Sequence, residues 1–214
     1  MIKQIQTLGL LALLTACGPL NDGAIGLDAA RQIGGLVGIK PAPEAPTVPP
    51  NIANAAPGDV LLATIVNRNA VAPLTKVQTN GDTITWISPG KVSMTFRDGI
   101  LIGTRGLTED LMGVDAVGVR DAIRAGGGTS TRRHSFLNAL DKIRTRSMTC
   151  DITREGEEEL ALVSGKAQTV KYTESCRGEM VFTNSYWVDA GTGEMLRSLQ
   201  VVSASDGYIQ ADQL

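Results

Sequence analysis

Short runs rich in threonine, valine and isoleucine, separated by turn dipeptides, fill the chain from Asp59 onward. Runs of this composition are typical of β-strands, and the dipeptides between them are typical of tight turns. Neighbouring strands that are joined by tight turns pair in antiparallel fashion. We therefore predict a mainly β domain, built as an antiparallel curved sheet or partly closed β-barrel with small helical insertions.

Two dipeptides predict the first hairpins. Asn80-Gly81 indicates a two-residue loop that pairs Val77 with Ile84 and Thr75 with Trp86. Asp98-Gly99 marks the next turn, where we predict a three-residue, bulged loop over residues 97–99 because a two-residue loop would divide the flanking apolar residues between the two faces. The three-residue loop places five of them on one face: Val92, Met94, Phe96, Ile100 and Ile102.

The later part of the chain contains one predicted turn and one ambiguous segment. Residues 189–193 should join a strand near residues 179–188 to another near residues 195–203. Residues 108–124 contain the plausible helices. Residues 135–144 fit either a helix capped by Ser135 or two strands with a turn at residues 138–141, and the threonine-rich continuation favours the strands.

The N-terminus is typical of a bacterial lipoprotein precursor. Lys3 gives a positive start, residues 8–14 are apolar, and Leu14-Thr15-Ala16 leads into Cys17 as a lipobox. We predict that residues 1–16 are a signal peptide and that Cys17 is lipidated, with more than one acyl chain providing a stable membrane anchor. Gly18 follows the cysteine, and the absence of an aspartate at this position fits sorting to the outer membrane.

Residues 17–58 are predicted to form the lipidated N-terminus and a proline-rich tether. Six of the nine prolines lie within residues 40–58, a composition typical of an extended, semi-rigid segment without a core. The remaining residues, 59–214, have the length of a single β-rich domain. The predicted organisation is therefore signal peptide, tether and one folded domain.

Lipidation of Cys17 leaves Cys150 and Cys176 as a pair among the three cysteines of the chain. In the oxidising periplasm we expect these two residues to form a disulfide. A metal site is the weaker alternative, because the chain has one histidine and the two thiols lack the spacing of a zinc motif.

A cluster of basic residues is the strongest candidate for a binding surface. Between residues 120 and 146, seven arginines and lysines face two aspartates. On paired strands, alternate members would share a face, and guanidinium groups can grip the carboxylates or phosphates of an acidic polysaccharide. We select as polysaccharide or partner contacts Arg132, Arg133, Arg144, Arg146 and, as an aromatic platform, Trp187. The alternative is a solvated face that is balanced by the acidic residues 155–159.

Other functional classes have little support in the sequence. A formal net charge of −2 argues against a nucleic-acid-binding protein. The glycines at residues 126–128 lack the lysine of a phosphate-binding loop, and a GxSxG nucleophile motif is absent from the sequence. We therefore expect neither an enzyme nor a bound cofactor.

Several blocks of the sequence resemble the YjbF/GfcB lipoproteins. They are the lipobox, residues 95–112 (TFRDGILIGTRGLTEDLM), residues 132–137 (RRHSFL), Cys150 with residues 174–176 (ESC), and residues 182–203 (FTNSYWVDAGTGEMLRSLQVVS). The resemblance implies an accessory outer-membrane lipoprotein of group 4 capsule or exopolysaccharide secretion, on the periplasmic face and without catalytic residues. It also implies partners from the same system, namely a soluble periplasmic protein and an outer-membrane β-barrel protein.

Two functional hypotheses follow. The first is a non-enzymatic component that binds polysaccharide or the export machinery. The alternative is a lipid or lipoprotein carrier, whose half-barrel would hold an acyl chain in a dry cavity lined by Met94, Phe96 and Ile102. The size of that cavity distinguishes the two hypotheses.

Overall fold

A computed structural model describes residues 58–137 and 140–214. The predicted signal peptide, Cys17 and the tether up to residue 57 lie outside these residues. The elements in chain order are β1 (Val60–Ile65), a 3-10 turn (Val66–Arg68), β2 (Ala70–Asn80), β3 (Thr83–Ile87), β4 (Ser93–Arg97), β5 (Ile100–Arg105), β6 (Leu111–Asp115), α1 (Val119–Arg124), β7 (Gly127–Leu137), β8 (Ile143–Leu162), β9 (Gly165–Gly178), β10 (Phe182–Asp189), β11 (Met195–Ser203) and β12 (Gly207–Gln213).

All twelve strands of the described residues belong to one antiparallel sheet. The strand order is β5-β4-β3-β2-β1-β12-β11-β10-β9-β8-β7-β6, so consecutive strands are neighbours throughout except β5 and β6, which lie at the two edges, and β1 and β12 also lie beside each other. Strand β1 joins the two halves by pairing with both β2 and β12. The sheet curves until it is nearly closed into a barrel, which confirms the predicted fold class.

The two edge strands, β5 and β6, are consecutive in the chain and meet through side chains at a line that we call the seam. The backbone N–H of Leu111 donates to Oγ1 of Thr104 at 2.9 Å, and Nη1 of Arg105 donates to the Leu111 carbonyl at 3.2 Å. The Thr104 hydroxyl in turn donates to Oδ1 of Asp110 at 3.1 Å. Side-chain groups thus occupy positions that a backbone ladder fills elsewhere in the sheet.

The interior is filled by alternate residues of the strands, as expected for a sheet that is apolar on its inner face. One cluster around Trp86, Met94 and Phe96 draws its buried residues from β1–β7, β11 and β12. Helix α1 buries Val119, Ala122 and Ile123 in a second cluster, against strands β8–β11. At six residues, α1 is far shorter than a membrane span, and no helix among the described residues is long and apolar enough to cross a bilayer.

The first predicted hairpin is present, but its register differs from the prediction. Asn80 pairs with Thr83, so the loop is Gly81-Asp82, and a bulge at Val77 follows in β2. Gly81 has a φ of +59°, which places glycine at the first loop position, as in type II′ turns. The displaced loop alone would place Trp86 opposite Val77, and the bulge then moves the register by one residue, so Trp86 pairs with Lys76 instead of Thr75.

The predicted three-residue loop at residues 97–99 is wrong. Arg97 pairs with Ile100, leaving the two-residue loop Asp98-Gly99 with φ values of +47° and +80°, a pattern typical of type I′ turns. The irregularity lies instead within the β4–β5 pair, where Phe96 opposes Leu101 while Thr95 opposes Gly103. This displaced bulge puts Leu101 beside Met94 and Phe96, and Ile100 packs in the cluster that contains α1.

Two further predictions, the turn near residues 189–193 and the two strands of residues 135–144, are confirmed, and the predicted helical region is shorter than expected. The turn near residues 189–193 joins β10 to β11. The threonine-rich segment forms strand β8, so the two-strand interpretation of residues 135–144 is correct. Only Val119–Arg124 is α-helical within residues 108–124, because Leu111–Asp115 forms β6 beside β7.

Candidate functional site

The predicted contact residue Arg132 lies on the inner face of β7 and is 2% exposed. Its Nε donates to Oε1 of Glu174 at 2.7 Å, and its Nη2 donates to the Tyr186 hydroxyl at 2.7 Å. A buried guanidinium requires such partners, because an unpaired charge in the interior is strongly unfavourable. The structure therefore corrects the prediction for this residue: Arg132 supports the interior and is not available as a surface contact.

Arg132 belongs to a buried polar network that joins β7, β9 and β10. The Tyr186 hydroxyl donates to Oε2 of Glu174 at 2.6 Å, and Nδ2 of Asn184 donates to the same oxygen at 2.8 Å. Burial alone would lower the pKa of the Arg132 guanidinium, but Tyr186 and Glu174 together raise it above its ordinary value. Burial also raises the pKa of the Tyr186 hydroxyl. The network thus consists of a charged Arg132, its acidic partner Glu174 and a protonated tyrosine.

His134 lies two residues further along the same inner face and is fully buried. Neither of its ring nitrogens has a hydrogen-bond partner among the described residues, and the ring stacks on Phe182 with centroids 5.4 Å apart. Burial, with the nearby charge of Arg132, lowers the pKa of the imidazole to about 3. His134 is therefore a neutral core residue at physiological pH.

The other predicted arginines are at the surface. Arg144 and Arg146 on β8 oppose Phe136 and His134 on β7, so they share one face of the strand pair. Both are exposed, and within residues 58–137 and 140–214 neither forms an ion pair. The Arg146 guanidinium lies 5.8 Å from the centre of the Phe136 ring. Two cations on one strand face, about 7 Å apart, remain available for an external ligand.

Arg133 and Trp187 do not belong to this pair. Arg133 points to the opposite face of β7 and forms a salt bridge with Asp115, whose pKa is lowered chiefly by that contact. Trp187 lies on β10, where its indole N–H donates to Glu158 and the Lys171 ammonium sits 5.1 Å from the ring centre. The predicted set therefore divides into a buried residue, an exposed pair and two separately engaged residues.

The predicted disulfide is present. Cys150 and Cys176 are directly opposed on β8 and β9, with Cα atoms 4.0 Å apart. Glu174 lies close enough to the two sulfur atoms for the three residues to form a metal-like cluster. The disulfide, however, removes both thiolates, and the Glu174 carboxylate is engaged by the polar network. This cluster is accordingly a structural cross-link.

The predicted carrier cavity is not favoured by the packing. Met94 and Phe96 are buried in the core, whereas Ile102 is the unpaired residue of the bulge in β5 and does not belong to that core cluster. An apolar cavity between Met94 and residues of β1 and β2 has a volume of about 80 Å³. Pockets for ligands of drug size, and so for an acyl chain, occupy roughly 300–1,000 Å³.

Comparison with known proteins relates both the sequence and the fold to lipoproteins. Residues 42–214 match the family model described as group 4 capsule polysaccharide lipoprotein gfcB, YjbF. The crystal structure of the hypothetical lipoprotein YmcC from Escherichia coli (K12) is similar with a TM-score of 0.66, covering 77% of this chain and 87% of that chain. At 18% sequence identity, this likeness concerns the fold alone. A search of curated proteins finds no significant match.

Proposed function

We propose a function for this chain from its family, because the chain belongs to the YjbF family of group 4 capsule polysaccharide lipoproteins. It acts as an accessory lipoprotein in the assembly or export of capsule or exopolysaccharide. It works by binding, without catalysing a reaction. Its partners are the polymer itself or proteins of the secretion system, including an outer-membrane β-barrel protein.

The proposed anchor is the lipidated Cys17, after removal of residues 1–16 as a signal peptide. Residues 17–58 then act as the tether between the membrane and the single domain of residues 59–214. Proline-rich segments in general favour an extended conformation of about 3.1 Å per residue, which would hold the domain away from the headgroups. The proposed location is the periplasmic face of the outer membrane.

The exposed pair Arg144 and Arg146 is the observation that supports a polymer contact. Most other arginines in the described part of the chain are engaged by carboxylates, as Arg124 is by Asp98 and Arg133 by Asp115. Arg144 and Arg146 are instead both exposed at one end of β8, and the Arg146 guanidinium lies near the ring of Phe136. Guanidinium groups bind carboxylates and phosphates in bidentate geometry, which fits an acidic polysaccharide.

Charge reversal of the pair tests this function. Arg144→Glu with Arg146→Glu should weaken binding to alginate, used as a model polyuronate, by about tenfold, because two exposed ionic contacts of about 0.2–1 kcal/mol each become repulsive. The binding that remains should depend less on salt. In cells, the same variant should reduce capsule or exopolysaccharide at the surface.

The matched control is Arg154→Glu with Arg177→Glu, which changes the net charge equally on two other exposed arginines of β8 and β9. Both double variants should fold like the wild type, since the altered side chains are exposed. Equal alginate binding by the Arg144/Arg146 variant and the wild type would contradict the proposed contact. Equal weakening by both double variants would mean that net charge, and not this pair, attracts the polymer.

A further inference from the structure

A second concave surface lies at the other end of the strands from the Arg144/Arg146 pair. It is a cleft of about 220 Å³ between the β2–β3, β4–β5 and β10–β11 turns. Arg120 of α1 lines it, and α1 immediately precedes the start of β7, whereas Arg144 is opposed to Phe136 near the end of that strand. Nine residues of strand separate the two ends, which is roughly 30 Å. The cleft and the arginine pair are therefore separate surfaces.

The walls of the cleft are held in place by Arg120. Its Nε lies 3.0 Å from Oδ2 of Asp98 in the β4–β5 turn, and its Nη2 donates to the Gly193 carbonyl in the β10–β11 turn at 2.6 Å. The Arg120 side chain is only 12% exposed and that of Asp98 is 31% exposed, so this bridge is partly shielded from water. A cleft whose walls are fixed before binding loses little conformational entropy when a ligand enters.

The floor and the rim of the cleft differ in chemistry. Trp86, Phe96 and Ala211, each at most 6% exposed, contribute small areas of apolar and aromatic surface to the floor. Asp82 and Glu194 place carboxylates at the rim, and Gln213 adds an amide. The carboxylate of Asp98 is already paired with Arg120 and Arg124, but Asp82 is 64% exposed, with an arginine nitrogen no closer than 3.9 Å.

This combination fits one sugar ring. A pyranose presents C–H groups on its face, which pack on aromatic and apolar side chains, and hydroxyl groups at its edge, which donate to carboxylates and amides. The volume corresponds to about seven water molecules at roughly 30 Å³ each, enough for one ring but not for several. The two available carboxylates disfavour a sugar that carries its own negative charge.

We propose that this cleft binds a single neutral sugar residue, such as the terminal residue of a polysaccharide chain. The proposal rests on the proposed function for the class of polymer, but it concerns different residues and the opposite charge preference. The arginine pair would contact acidic groups along a polymer, and the cleft would hold its neutral end. Each surface can therefore be tested without the other.

Trp86 provides a direct reporter, because the chain has only two tryptophans. In a Trp187→Phe background, Trp86 fluorescence can be titrated with glucose, galactose, N-acetylglucosamine, glucuronate and galacturonate. We expect a saturable change with at least one of the neutral sugars, with a Kd in the millimolar range, as is appropriate for about 4 kcal/mol of binding free energy. The two uronates should bind at least fivefold more weakly.

Removing the rim carboxylates should weaken that binding about tenfold, with Asp82→Ala and Glu194→Ala combined. The matched control, Asp121→Ala with Glu157→Ala, removes two exposed carboxylates outside the cleft and should leave it unchanged. The proposal is overturned if no neutral sugar gives a saturable change, if the uronates bind equally well, or if the control weakens binding as much. If no neutral sugar binds the cleft while the Arg144/Arg146 variant still loses alginate binding, this inference is refuted and the proposed function stands.

Discussion

The guanidinium of Arg132 and the carboxylate of Glu174 form a 2.7 Å salt bridge in the interior of the sheet, although 42 positions separate them in the sequence. Both side chains are almost completely excluded from solvent. The bridge joins β7 to β9 across the intervening strand β8, which pairs with both. A charged pair at this depth ties three strands to one relative position.

Replacing Arg132 should destabilise the domain far more than replacing its neighbour. Arg132→Met leaves the Glu174 charge buried without its cationic partner, a change that costs about 3–5 kcal/mol in the free energy of unfolding. Arg133→Met removes an exposed salt bridge and should cost no more than about 1 kcal/mol. Urea unfolding of both variants measures the difference. A loss below about 1 kcal/mol in Arg132→Met would contradict the importance of the buried pair.

His134 should make the domain sensitive to acid. Since its pKa falls from 6.5 in the unfolded chain to about 3 in the folded domain, the unfolded state binds an additional proton between these values. The free energy of unfolding therefore falls as the pH decreases through this window, by at most about 1.4 kcal/mol per pH unit from this group.

His134→Phe isolates that contribution, because His134 is the only histidine of the chain. A phenyl ring can occupy the same place beside Phe182 without titrating. Urea unfolding of the wild type and the variant at a series of pH values from 7 to 4 should give a flatter pH dependence for the variant. Parallel curves would show that the imidazole does not titrate differently in the two states.

Removing the disulfide should lower stability by about 3 kcal/mol, because the cross-link closes a loop with a sequence separation of 26 residues and restricts the unfolded chain. Cys150→Ala with Cys176→Ala gives the variant, and urea unfolding gives the difference. Thiol labelling of the denatured, non-reduced wild type provides the control. Two reactive thiols in the mature protein would show that the bridge does not form in the cell.

Cys17→Ser should abolish membrane anchoring, since the thiol is the acceptor of the lipid. We expect the variant in the soluble fraction or retained with its signal peptide. Membrane fractionation and detergent partitioning of whole-cell protein distinguish these outcomes from the anchored wild type. A serine variant of mature size that partitions wholly into detergent would disprove lipidation at this position, and wild type found only in the inner membrane would disprove the proposed location.

The sequence predicted the class of fold and most strand positions because turn dipeptides and threonine-rich runs are local signals. It did not predict register, which depends on where the irregularities fall. Asp98 adopts a positive φ and permits a two-residue loop, and the bulge then moves into β5. Composition alone does not show whether the additional residue lies in the loop or in the strand.

The burial of Arg132 had no local signal. The inner face of β7 carries Ser130, Arg132 and His134, so alternation shows that these residues share a face but gives no indication that the face is buried. The partners that make burial possible, Glu174 and Tyr186, lie on strands β9 and β10. Glu174 shares a strand face with Cys176 on β9, and Tyr186 shares one with Phe182 on β10. These two patterns were the sequence signal that was available.

The seam between β5 and β6 determines where this sheet opens first. Strand β8 has a backbone ladder on each side, whereas β5 has one only along β4. Breaking the contacts of Thr104 and Arg105 with Leu111 would free both edges without disturbing any ladder. In deuterated buffer, amides facing the seam should therefore exchange through local fraying, whereas amides of β8 should exchange only through global unfolding. The side chains of Thr104 and Arg105 thus hold the two edge strands together.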